Sequence, residues 1–249
     1  MSRVSNLKNL IYKPFNLLYL GFLVFLFISI SGWFLSFFKG LLIENVGIPQ
    51  EYFWAVTLLS LIGSFVNIPL MVLKSDNPVP QIKQVESFGI TYEIPEIDAP
   101  QKETHVMINI GGAIIPTIIS LYLLIFSIPG CADDLFLTYV KILIVLFVVS
   151  VSTHQSAQIV EGLGITTPAW GPPTMTVFII LLINHFSAVV CPTQVAYIGG
   201  SLGALIGADI MNLNKIAGVG PVVSIGGAGT FDGVYLTGLI SVILLLFIS

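Results

Sequence analysis

Seven apolar stretches, roughly 15–38, 53–73, 107–129, 133–152, 173–190, 192–213 and 230–248, divide this chain of 249 residues. Each is close to the ~20 apolar residues that a helix needs to cross a bilayer. In hydrocarbon every backbone N–H and C=O must find a partner inside the protein, so bundled helices are the expected solution. Composition bears on that choice at one point: charged residues are 9% of the chain, against about 25% in an ordinary soluble domain. The expected fold is an all-α integral membrane protein, one polytopic domain over 1–249 with about seven transmembrane helices. Only Cys191-Pro192 separates the fifth stretch from the sixth, so six spans with one re-entrant segment is the alternative. The first stretch is too long for a signal-peptide core and lacks a small-residue cleavage site, so it is expected to remain as a span.

Basic residues orient this arrangement. Arg3, Lys8, Lys13, Lys74, Lys83, Lys102 and Lys215 fall on one side and Lys39 on the other, which predicts a cytoplasmic N-terminus in a cell membrane. Lys141 lies inside the fourth stretch and is expected to snorkel toward Asp133 and Asp134, or to pair with an acid. The net charge of -4 comes mostly from the loop 74–106, and no basic run points to nucleic acid. The expected partners are therefore the lipid bilayer and, for the reading developed below, a transmembrane or extended peptide. Cys131 and Cys191 end apolar stretches, and two cysteines imply no disulfide framework.

The loop 74–106 opens with Asn77-Pro78-Val79-Pro80, which cannot be helical. Two runs rich in β-formers follow, 85–94 and 104–110, and are expected to pair as a small cytoplasmic β-hairpin, either a lid over the helix ends or a docking strand for substrate. An echo links distant parts of the chain: Ile108-Asn109-Ile110-Gly111-Gly112-Ala113 and Val223-Ser224-Ile225-Gly226-Gly227-Ala228 both lead into an apolar stretch. If the echo is structural, glycine-rich broken or re-entrant backbone enters the membrane boundary twice, which is tolerated only around a protein-lined or water-filled site. Asn67-Ile68-Pro69 in the second stretch and Pro116 in the third also disturb helices.

Two acids stand inside apolar, glycine-rich sequence: Asp209 and Asp232. A charge in hydrocarbon costs at least a few kcal/mol, so such residues are candidates for function. Gly199, Gly203 and Gly207 form a stripe that lets another helix approach closely. Asp209 lies off that stripe, on the face shared with Leu202, Leu205, Ile206 and Asn212. Both acids fall near the same membrane depth in the seven-span arrangement. Three readings stay open. Asp232 caps a helix and Asp209 pairs with a lysine, a structural pair. Or the two carboxylates share one proton and hydrolyse a peptide bond, with Asp209 and Asp232 catalytic. Or they bind a proton or cation for transport, around discontinuous helices. Backbone amides at Gly226, Gly227 and Gly229, with Asn212 and Asn67, are the candidate substrate-binding groups.

His154 and His185 lack metal-ligand spacing, so no metal is expected. No P-loop lysine follows the glycine run and no Rossmann spacing is met, so no nucleotide or other cofactor is expected. The segment 161–173 reads as a membrane-edge turn carrying Trp170.

Two resemblances rest on these residues. Gly207-Ala208-Asp209-Ile210-Met211-Asn212-Leu213 and Ser224-Ile225-Gly226-Gly227-Ala228-Gly229-Thr230-Phe231-Asp232-Gly233 resemble the C-terminal signature of an uncharacterised family of archaeal and bacterial multi-pass membrane proteins, and the likeness extends to Asn67-Ile68-Pro69 and Gly111-Gly112-Ala113. That family implies no activity. A weaker similarity is to the presenilin and signal-peptide-peptidase class of intramembrane aspartyl proteases, which implies paired aspartates on neighbouring helices near the cytoplasmic face. Neither Gly207-Ala208-Asp209 nor Gly229-Thr230-Phe231-Asp232 is the Gly-x-Gly-Asp motif of that class.

Overall fold

The computed structural model describes residues 17–74, 81–87, 90–96, 103–160, 164–227 and 233–248. The helices are α1 (Leu17–Gly40), α2 (Phe53–Gly63), α3 (Ile115–Tyr122), α4 (Ile128–Cys131), α5 (Leu135–Ser156), α6 (Gly171–Phe186), α7 (Pro192–Ala204) and α8 (Gly233–Ile248). The strands are β1 (Asn67–Lys74), β2 (Gln81–Ser87), β3 (Ile90–Glu96), β4 (Glu103–Asn109), β5 (Gln158–Val160), β6 (Gly164–Thr166) and β7 (Val222–Ile225). Wide π turns at Ile110–Ile114 and Leu123–Ser127 join α3 and α4 into one run, and a π turn at Leu205–Asp209 followed by a 3-10 stretch at Ile210–Lys215 prolongs α7. Pro116, which has no N–H to give, is the second residue of α3 and directly follows the π turn at Ile110–Ile114.

Four helical runs, Val24–Val46, Ile110–Cys131, Leu135–Ser156 and Pro192–Lys215, are long and apolar enough to cross a membrane, and α6 and α8 are shorter apolar helices. The α7 run is the centre of the bundle: 67% of its most apolar window is buried, against 11% for the α1 run. Small residues explain how it can be central. Gly199, Gly203 and Gly207 lie against Val145, Val149 and Thr153 of α5, a constant four-residue register on both helices. On another side Gly238 of α8 meets Tyr197 and Ser201 of α7. Tyr197, Val195 and Ile198 are fully buried between these neighbours.

The second apolar stretch, expected to span as 53–73, is instead a helix of 11 residues and then a strand of eight. Gly63-Ser64 ends the helix, and Pro69 is accommodated on an edge strand beside a bulge between Pro69 and Met71. A continuous apolar run does not by itself distinguish helix from strand.

The expected pairing of 85–94 with 104–110 is also corrected. β2 pairs with β3, from Gln81 opposite Glu96 to Ser87 opposite Ile90. β4 pairs antiparallel with β1, Asn67 opposite Asn109, and parallel with β7, Ile108 opposite Ile225. The resulting sheet has the order β1-β4-β7. Its central and last strands are the two copies of the echo, laid side by side, each leaving the sheet through Gly-Gly. Alternation gives the sheet two faces. Val106, Val223 and Ile225 turn inward onto Leu205, Ile216 and Val234, whereas Asn67, Asn109 and Ser224 share the other face.

Two further differences concern the opposite end of the bundle. Cys131 and Cys191 form a disulfide, tying α4 to the start of α7 across 60 residues. Lys141 is buried, and its Nζ donates to the carbonyls of Ala188 at 2.6 Å and Ser187 at 3.4 Å. It thus satisfies carbonyls just beyond the C-terminus of α6, where a cation is favoured.

Candidate functional site

At the sheet end, the side chain of Asn109 is spent in three directions. Its Nδ2 donates to the Ser64 carbonyl at 2.7 Å and to Asn67 Oδ1 at 3.1 Å, and its Oδ1 accepts the Gly112 N–H at 2.8 Å. Ser224 Oγ donates to the same Asn67 Oδ1 at 2.6 Å. Asn67, Asn109 and Ser224 therefore form one hydrogen-bonded chain across the three strands. Asn109 is 1% exposed, so its amide would be costly to bury without these partners.

Asp209 closes the other half of the site. It is the last residue of the π turn that prolongs α7, half-buried, and its Oδ2 accepts the backbone N–H of Gly226 at 2.8 Å. Gly226 has φ of 83° and Gly227 of 109°, left-handed conformations that favour glycine. A Cβ on Gly226 would lie 2.7 Å from the backbone nitrogen of Ala113, so the second Gly-Gly turn sits directly on the first. Asp209 thus faces the turn rather than α5, in keeping with its position off the glycine stripe.

The segment between Asp209 and β7 is tied down by polar groups as well. Asn212 is buried, with Nδ2 donating to the carbonyls of Ala208 at 2.8 Å and Gly207 at 3.2 Å, while its Oδ1 accepts Lys215 Nζ at 3.0 Å. Asn212 thereby caps the end of the helical run, and its amide is not offered to a ligand. Thr104 accepts the Gly218 N–H at 3.0 Å and donates to the Gly220 carbonyl at 2.8 Å, which fixes the connection to β7 against β4.

Of the groups expected to bind or transform a substrate, Asp209, Gly226, Gly227 and Asn67 meet in one region, and Asn212 adjoins it. The Gly226 N–H is already held by Asp209, and Asn67 Oδ1 already accepts two donors. Asp232 and Gly229 lie outside the described residues. Asn109, Ser224 and Thr104 were missed as site residues. The signal was there for the first two, which occupy the same polar position in the two copies of the echo.

No curated protein and no solved structure matches the chain. A family model does match, over residues 61–244, which takes in the sheet, Asp209 and both Gly-Gly turns. The chain therefore belongs to the family described as protein of unknown function DUF1614.

Proposed function

We propose that this protein is an intramembrane aspartyl protease-like hydrolase, with Asp209 and Asp232 acting as a pair on an extended peptide. One observation carries the reading: Asp209, at the end of the central helix, holds the Gly226 N–H at 2.8 Å at the foot of an edge strand. From that turn the chain reaches Asp232 after six residues. β7 is the last strand of its sheet, and an extended peptide added to such an edge would run toward the acid. In the reaction, one carboxylate takes a proton from water as the water oxygen bonds to the scissile carbonyl carbon. The partner carboxyl gives its proton to the carbonyl oxygen. The tetrahedral diol then collapses: the C–N bond breaks, the leaving nitrogen takes the proton held by the first acid, and the partner carboxylate takes back a diol O–H proton as the carbonyl re-forms, which restores the starting pair.

The same proposal takes α1, α2, the α3–α4 run, α5, α6, α7 and α8 as seven membrane-inserted helices, α2 being the short one. It sets the sheet end in the cytoplasm and the disulfide end outside. The excess of lysine and arginine supports the first, and the Cys131–Cys191 disulfide, which persists in an oxidising compartment, supports the second.

The test is cleavage of a transmembrane peptide by the purified protein in lipid, compared with Asp209→Asn and Asp232→Asn. The hydrolase reading expects each variant to lose product while remaining folded. A cation- or proton-coupled transporter is the second reading, favoured by the π turn and 3-10 stretch that interrupt α7 at the acid. It expects no product, but acid-dependent ion flux into proteoliposomes. If neither signal appears and both variants only lower stability, the acids are structural.

A further inference from the structure

A cavity of about 310 Å³ opens between α1, α2 and α8, floored by Gly111. Its walls are apolar except along one line. Phe34 and Phe38 of α1 form one side, while Thr57 and Ser60 of α2, with Ser64 at its C-terminal cap, run down another toward Tyr235 of α8. The hydroxyls recur at spacings of three and four in a helix that is otherwise apolar, so they share one face. Among the described residues, none that lines the space is charged.

We infer that this cavity binds the chain of a neutral, hydroxyl-bearing membrane lipid, such as a long-chain alcohol, with its O–H directed at the α2 hydroxyl line. The uncharged lining and the rim open to the lipid-facing side suit a slender hydrocarbon chain. Polarity decides the head group. Thr57 Oγ1 donates to the Phe53 carbonyl at 2.8 Å and Ser64 Oγ to the Leu61 carbonyl at 2.6 Å. Their protons are committed to the helix, so they present lone pairs to the cavity, and the matching ligand group is a donor. Ser60 and Tyr235 interact with each other. The absence of charge on the lining disfavours an anionic or cationic head inside the cavity. Access is from the bilayer: Phe34 is 60% exposed and Leu61 50%, so the rim is open on the face that lipid would cover.

This site is independent of the hydrolase reading, since it requires nothing of Asp209 or Asp232. The test uses the full chain in phosphatidylcholine nanodiscs and two photoreactive probes, a long-chain alcohol with a mid-chain diazirine and its methyl ether, which lacks the donor. The alcohol is expected to label peptides from α2 and α8, the ether about fivefold less, as for loss of one hydrogen bond. Ser60→Phe and Leu236→Phe, which narrow the cavity from opposite walls, should each reduce labelling by about tenfold or more. Thr57→Val keeps the side-chain shape and removes an acceptor, so it should lower alcohol labelling alone, and it carries the test if neither phenylalanine variant folds. Asp209→Asn should label as the unaltered protein does. Equal labelling by both probes, spread over the exposed length of α1, would mean bilayer contact only and overturn the inference. Displacement of the alcohol by a transmembrane peptide would overturn it in favour of a peptide site.

Discussion

The two Gly-Gly turns follow neighbouring parallel strands and start from nearly the same residues, yet they are held in different ways. After β4 the turn is closed locally. Asn109 caps Gly112 from three residues away, the chain enters its helix at once, and Gly111 allows α2 to approach, since a Cβ there would overlap the Ser60 carbonyl and the Ser64 amide. After β7 both glycines are left-handed, the Gly226 N–H is held by an acid 17 residues earlier on another element, and α8 begins only at Gly233. The same dipeptide thus answers two demands, close approach in one copy and positive φ in the other. A neutral amide suffices to close the first turn. A carboxylate closes the second, where an asparagine could also accept the Gly226 N–H, and the proposed function rests on that difference.

The sharpest way to break this comparison is to disturb the first turn. Gly111→Leu should lower stability by about 4 kcal/mol or prevent folding, because backbone atoms of α2 occupy the space; thermal unfolding of the purified protein measures it. At the second turn, Asp209→Asn should leave stability within about 1 kcal/mol, since the amide oxygen still accepts, while peptide cleavage falls by about 100-fold, or 2.7 kcal/mol. A variant that keeps full activity would remove the distinction between the copies. Asn109→Ala leaves Gly112 and the Ser64 carbonyl without a side-chain partner and should cost about 2 kcal/mol in the same unfolding assay. Ser224→Ala, losing one hydrogen bond to Asn67, should cost about 1 kcal/mol and leave cleavage unchanged.

Much of the helical frame could be read in advance. The α5 and α7 segments were legible because their apolar runs have the length of a bilayer, and the stripe Gly199, Gly203, Gly207 announced a close helix neighbour. The identity of that neighbour was not legible, since glycine spacing specifies closeness and says nothing of which helix comes near. Asp209 stood out because a carboxylate in apolar sequence is costly. Its partner did not, because a backbone N–H carries no sequence signature. β1 was misread because the period-two and period-3.6 patterns both vanish in a run that is apolar throughout, as in residues 68–73. The hairpin was mispaired for a related reason: strand-forming residues say that a segment is extended, whereas its partner is chosen by which edges and faces come together.

Local chemistry therefore determined the class of this protein: apolar length pointed to a membrane bundle, small residues to a tight helix contact, and a polar-Ile-Gly-Gly echo to two segments that would be special if the echo was structural. Tertiary structure decided the rest. It set the two echoes side by side, delivered Asp209 to Gly226, joined Cys131 to Cys191 and turned Lys141 onto the carbonyls beyond α6. Each of these is a pairing between groups far apart in the chain. Hydrogen bonds and close contacts depend on distance in space, and sequence spacing controls that distance only within a few residues.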